Sequence, residues 1–159
     1  MKPVIFIFII VILILSCKKG GLGDCTKDQF KYEFTTSGQI DTIVNTSGVY
    51  YQVISGNNIV FSYTHIGPDC KNIADEEYTE YFAFQVSSTA TSFNYQNSQF
   101  SDGLPFFKRV CFCPLMTNEV NSGNIKGTKI SSSKWDIQID IFLPNSSDKL
   151  VINKIFTLR

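Results

Sequence analysis

The sequence predicts an all-β fold, an antiparallel β-sandwich of about eight or nine strands, with a small lipocalin-like β-barrel as the alternative. Three observations carry this. Apolar residues alternate with polar ones in short runs, the period of a half-buried strand. Asn, Gly, Ser and Pro clusters separate those runs at close intervals. Ile, Phe, Thr and Tyr are abundant and Ala is scarce, a composition that fits pleated surfaces better than helices.

Phe30, Tyr32 and Phe34 alternate with Lys31, Glu33 and Thr35 in the first run, and Ser37-Gly38 reads as a turn after it. Residues 40–44 form a short apolar stretch closed by Asn45-Thr46-Ser47-Gly48. Residues 49–54 and the run holding Ile59, Phe61, Tyr63 and His65 read as a hairpin about Ser55-Gly56-Asn57-Asn58. Residues 69–80 are a polar insertion in which Asp75-Glu76-Glu77 start one helical turn. Strands follow at 81–86 and 91–95, with a loop at 98–104 and a strand at 105–113 that Pro114 stops. The last third is a meander over residues 124–131, 134–143 and 150–158. Its middle strand places Trp135, Ile137, Ile139, Ile141 and Leu143 on one face and Asp136, Gln138 and Asp140 on the other.

The N-terminus has a different pattern. Residues 4–15 are twelve consecutive apolar residues behind Lys2. As a helix they rise about 18 Å, short of a bilayer core of roughly 30 Å, which suits the core of an export signal. Ile14-Leu15-Ser16-Cys17 follows. This segment resembles the lipobox of bacterial lipoproteins, with Leu15 a departure from the small residue usual two before the cysteine. The resemblance covers the first 17 residues and implies removal of residues 1–16 and acylation of Cys17, palmitate among the chains, as the link to membrane lipid. Two or three acyl chains anchor stably where one binds marginally. Residues 17–26 read as the lipidated cysteine and a Gly-rich tether, and residues 27–159 as the all-β domain. Residue 18 is Lys, not the Asp that marks inner-membrane retention in such lipoproteins. Lys18-Lys19 also differs from the acidic run of surface-directed ones. The resemblance therefore implies the outer membrane, lipid-anchored on its periplasmic face. In composition and tether the chain is similar to small lipoproteins of Bacteroidota, which implies no activity.

Removing 16 of 159 residues leaves 143, one domain by length, with a net charge of about −1 and no basic stripe. That excludes nucleic acid as a partner. Five cysteines are odd for an exported chain; lipidation of Cys17 leaves Cys25, Cys70, Cys111 and Cys113, enough for two disulfides. In an extended strand Cys111 and Cys113 lie about 6.6 Å apart, so each is expected to pair with Cys25 or Cys70. A four-thiolate metal site is the competing reading.

His65 is the one histidine, too few for a zinc site built on imidazoles, and it is expected to cap the inner face of its strand near Cys70. Asp69, Asp75, Glu76, Glu77 and Glu80 lack calcium-loop spacing and are expected in a solvated loop. No catalytic residue, metal ligand or cofactor site is assigned. Adjacent aromatics, Tyr50-Tyr51 and Phe106-Phe107, together with Tyr81 and Phe142, fall out of phase with buried faces. Tyr50, Tyr51, Tyr81 and Phe107 are therefore the candidate contacts for a glycan or an envelope protein. Three function classes remain: a non-catalytic binding or accessory module of the cell envelope, a structural envelope component, and a hydrolase with dispersed acidic residues.

Overall fold

The structure, a computed structural model, describes residues 25–46, 48–70, 78–111 and 116–159. The expected export segment, Cys17, most of the expected tether, Asp75-Glu76-Glu77 and Cys113 lie outside them. The strands are β1 (Gln29–Asn45), β2 (Gly48–Ser55), β3 (Asn58–Ile66), β4 (Thr79–Ser87), β5 (Ser92–Gln96), β6 (Phe106–Val110), β7 (Met116–Glu119), β8 (Gly123–Ser131), β9 (Lys134–Phe142) and β10 (Lys149–Leu158). Between β5 and β6 the expected loop holds a 3-10 turn, Asn97–Gln99, and one helical turn, α1 (Phe100–Gly103), whose Phe100 is buried.

The all-β expectation holds. The strand order is β5-β8-β9-β10-β1-β3-β4-β6-β7, with β2 attached to β1. Every pairing is antiparallel except one. β1 and β10 run parallel over a short seam, Glu33 opposite Thr157 and Phe34 opposite Leu158. The sheet folds over at this seam. Phe61 of β3 stands edge-on to Trp135 of β9 at 5.3 Å and to Phe156 of β10 at 5.9 Å, and lies 5.9 Å from Phe93 of β5. Strands remote in the order thus face each other across one core, the arrangement of a sandwich. The end strands β5 and β7 are not paired with each other among the described residues, so the sheet stays open and the barrel alternative is not adopted.

β1 departs from the sequence reading. The Ser37-Gly38 turn does not form; one strand runs through it with a register shift between Thr35 and Gly38. Gly38 is needed there, because a Cβ would meet Val60 Cγ2 at 2.8 Å. Beyond the shift, β1 leaves β3 and pairs with β2, from Gly38 opposite Ser55 to Asn45 opposite Gly48. This arm packs on the outer side of β4 and β6. Ile40 donates its N–H to Gln85 Oε1 at 2.8 Å, and Ile40, Val60, Ala83 and Phe106 form a second apolar cluster. Both faces of β3 and β4 are therefore covered.

The disulfide pairing corrects the expected one. Cys25 is bonded to Cys70, with Cα atoms 3.9 Å apart, so neither is open to Cys111 or Cys113. The bridge is set by an antiparallel contact of the two chain segments: Thr26 donates its N–H to the Asp69 carbonyl at 2.8 Å, and Asp69 N–H bonds Thr26 Oγ1 at 2.8 Å. Two oxidised cysteines also remove the four-thiolate reading. Cys111 is disulfide-bonded too. The Cys25–Cys70 bridge spans 45 residues. Replacing both cysteines by Ser is expected to lower the unfolding free energy by about 2–4 kcal/mol through loop entropy. Urea denaturation of the full chain measures this; an unchanged midpoint would count against the bridge.

Candidate functional site

Two places on the sheet gather polar side chains. The first lies where β1, β3, β4 and β6 end beside the Cys25–Cys70 bridge. Cross-strand register builds it: Glu80 sits opposite His65 on one side and opposite Arg109 on the other. His65 Nδ1 faces Glu80 Oε2 at 3.4 Å, and Nε2 faces Asp28 Oδ1 at 2.7 Å. Arg109 donates to Glu80 Oε1 through Nε at 3.2 Å and Nη2 at 2.9 Å, and the Tyr78 hydroxyl donates to the same oxygen. Phe30 stacks on the imidazole at 4.5 Å. Glu80 is buried, not solvated as the polar insertion implied, because β3 and β6 enclose it.

Burial alone pushes the Glu80 carboxyl up, but bonds from Tyr78, Arg109 and His65 hold it below its ordinary value of 4.5. Tyr78 is pushed up to about 12 by burial and by its bond to Glu80. Burial, chiefly, raises Tyr63 beside them further. Both His65 nitrogens face a carboxylate oxygen, Glu80 at 3.4 Å and Asp28 at 2.7 Å, so neither is open to a substrate. The cluster is built to tie four chain segments together. Among the described residues no group of three or more His, Cys, Asp or Glu side chains is disposed to hold a metal.

The four aromatic candidates do not converge. Tyr51 stacks on Phe106 at 5.3 Å, and Tyr81 lies 5.7 Å from the same ring. Both are packed against the outer cluster and not presented to solvent as a platform. Tyr50 is half-buried in β2. Phe107 is buried in the main core, contrary to the expectation that it is a surface contact. The adjacent pair Phe106-Phe107 is resolved by burying both, one on each face of β6, because the β1–β2 arm covers the outer side. Phe142 is the out-of-phase aromatic that stays open, 42% exposed.

The second place surrounds Phe142. An open groove of about 750 Å³ lies between the β7–β8 turn and the β9–β10 loop, lined by Glu119, Asn121, Ser122, Phe142 and residues 143–147. Its walls are fixed by backbone bonds. Phe142 N–H donates to Ser122 O at 3.1 Å, Leu143 N–H to Asp148 O at 2.9 Å, and Asp148 N–H to Ser146 Oγ at 3.0 Å. Gly123, at φ 127°, turns the chain out of the groove into β8, a conformation that favours glycine. The Tyr51 hydroxyl donates to Glu119 Oε2 at 3.4 Å, so one sequence candidate reaches a groove residue. Sequence reasoning assigned nothing to Asn121 and Ser122 and saw residues 144–148 only as the connection between the last two strands. Their convergence depends on the turn before β8 lying beside the end of β9, where Phe142 N–H bonds Ser122 O, a contact that composition does not reveal.

Comparison of the chain with protein-family models, with curated proteins and with solved structures finds no match.

Proposed function

We propose that this protein is a lipid-anchored module of the cell envelope that binds a partner without catalysing a reaction. The observation that carries the address is the unbroken apolar run of residues 4–15 closing on Ser16-Cys17. The Cys25–Cys70 bridge supports it, since stable disulfides belong to oxidising compartments. Acylated Cys17 inserts into the outer membrane, with the domain on its periplasmic side. From Cys17 to Cys25 the chain extends at most about 29 Å, so the bridged end of the sheet stays near the bilayer. The binding role is favoured over chemistry by the engagement of both His65 nitrogens and by the open, polar groove at Phe142. A glycan or an envelope protein is the class of partner.

The deciding experiment is Cys17→Ser in the producing cell. The wild-type chain is expected in the membrane fraction and to incorporate labelled palmitate. The variant is expected in the soluble fraction, unlabelled. A variant that still sediments with membranes would sink the anchor.

A further inference from the structure

We propose that the groove between the β7–β8 turn and the β9–β10 loop is a binding site for a neutral oligosaccharide. The inference rests on the binding-module reading and names its ligand class and place. The lining supplies what a sugar asks for. A pyranose ring presents an apolar C–H face and a rim of hydroxyls that donate and accept. Phe142, 42% exposed and with the Lys149 ammonium over its ring at 4.6 Å, offers its remaining aromatic surface for the first. For the second, the side chains of Asn121, Ser122, Asn145 and Ser147 line the groove and make no side-chain hydrogen bond among the described residues. Glu119 adds a carboxylate acceptor, one oxygen of which meets Tyr51. The volume lies within the range of roughly 300–1,000 Å³ usual for small-molecule sites.

Other ligand classes fit less well. Among the described residues no lysine or arginine lines the groove. The nearby cation, Lys149, is committed to Asp140 at 2.9 Å and lies 4.6 Å from the Phe142 ring centre. A phosphate or an acidic glycan therefore meets only a cation already paired with Asp140. An added peptide strand needs free backbone donors, and those of Phe142 and Leu143 are spent on Ser122 and Asp148. The β9–β10 loop is held in shape before any ligand arrives, by its own backbone bonds and by Asn145 at φ 55°. Such preorganisation lowers the entropic cost of gripping a flexible saccharide.

The test uses the full chain in detergent micelles against a printed panel of neutral tri- and tetrasaccharides of glucose, mannose, galactose and N-acetylglucosamine. The best-retained saccharide is then titrated by calorimetry. Phe142→Ala and Asn121→Ala are each expected to weaken binding about tenfold or more. Phe142→Tyr is expected to retain it. Phe30→Ala, which removes an exposed aromatic at the other site, is expected to leave it unchanged. Matching thermal midpoints establish that the variants are folded. Retention of no neutral saccharide overturns the proposal. So does retention that the Phe142 and Asn121 variants do not alter, or capture of acidic glycans or peptides alone. None of these results bears on the anchor, which Cys17→Ser decides separately. Peptide capture would overturn the glycan site while leaving a binding module.

Discussion

Replacing Glu80 by Ala is expected to lower the unfolding free energy by about 3–5 kcal/mol, the range for breaking a largely buried charge pair from one side. The side chain is 12% exposed and is the common partner of Arg109, His65 and Tyr78. Its loss leaves the Arg109 guanidinium without its carboxylate in the same enclosed place. The double variant Glu80→Ala, Arg109→Met is therefore expected to cost less than the sum of the single changes, a coupling that a double-mutant cycle reads directly. The pH dependence has a definite sign. Glu80 titrates in the folded chain below its ordinary 4.5, so its contribution is present above 4.5 and is lost as the pH falls through the lower folded value. Tyr78 is raised from 10 to about 12, so its contribution is present below pH 10 and is lost as the pH rises toward 12. Urea midpoints against pH should show a shallower acid limb for Glu80→Gln than for the parent. An acid limb indistinguishable from the parent's would show that Glu80 is not the linked group.

The meander β8–β9–β10 was legible because only one face of it is buried. Trp135, Ile137, Ile139 and Ile141 are in the core and Gln138 and Asp140 are exposed, as alternation requires. β3 and β4 resist the same reading. Val60, Ala83 and Gln85 are buried on the parity that should face water, because the β1–β2 arm covers that side. Ser37-Gly38 suits a turn and a bulge equally, and only the pairing of β1 with two successive partners decides between them. β7 has a polar sequence without alternation and went unread. The cysteine pairing depends on which loops meet, which spacing does not encode. At the candidate sites the phase of His65 was legible, but its partners come from two other segments, residues 28–30 and 78–80. The groove is formed by loops whose Asn and Ser residues signal only a turn.

The same geometry predicts how differently two phenylalanines behave. Phe61→Ala is expected to cost about 3–5 kcal/mol, toward the upper part of the range for emptying an aromatic site in a core. Its ring is fully buried and has centroids of Phe34, Phe84, Phe93, Trp135 and Phe156 within 5.0–5.9 Å. These rings come from β1, β4, β5, β9 and β10, so no single-chain segment collapses to fill the void, and aromatic pair energies of roughly 0.5–1.5 kcal/mol are lost besides. Phe61→Leu keeps most of the volume and is expected to cost about 1–2 kcal/mol. Phe142→Ala is expected to cost only about 0.5–1 kcal/mol, because that ring is 42% exposed and its contact with Lys149 lies at the surface. Urea denaturation of the three variants separates a core that joins two layers from an exposed surface. If Phe61→Ala cost as little as Phe142→Ala, the two layers would not meet at β3, and the groove walls on β7 and β9 would lack the rigid support that a preformed saccharide site requires.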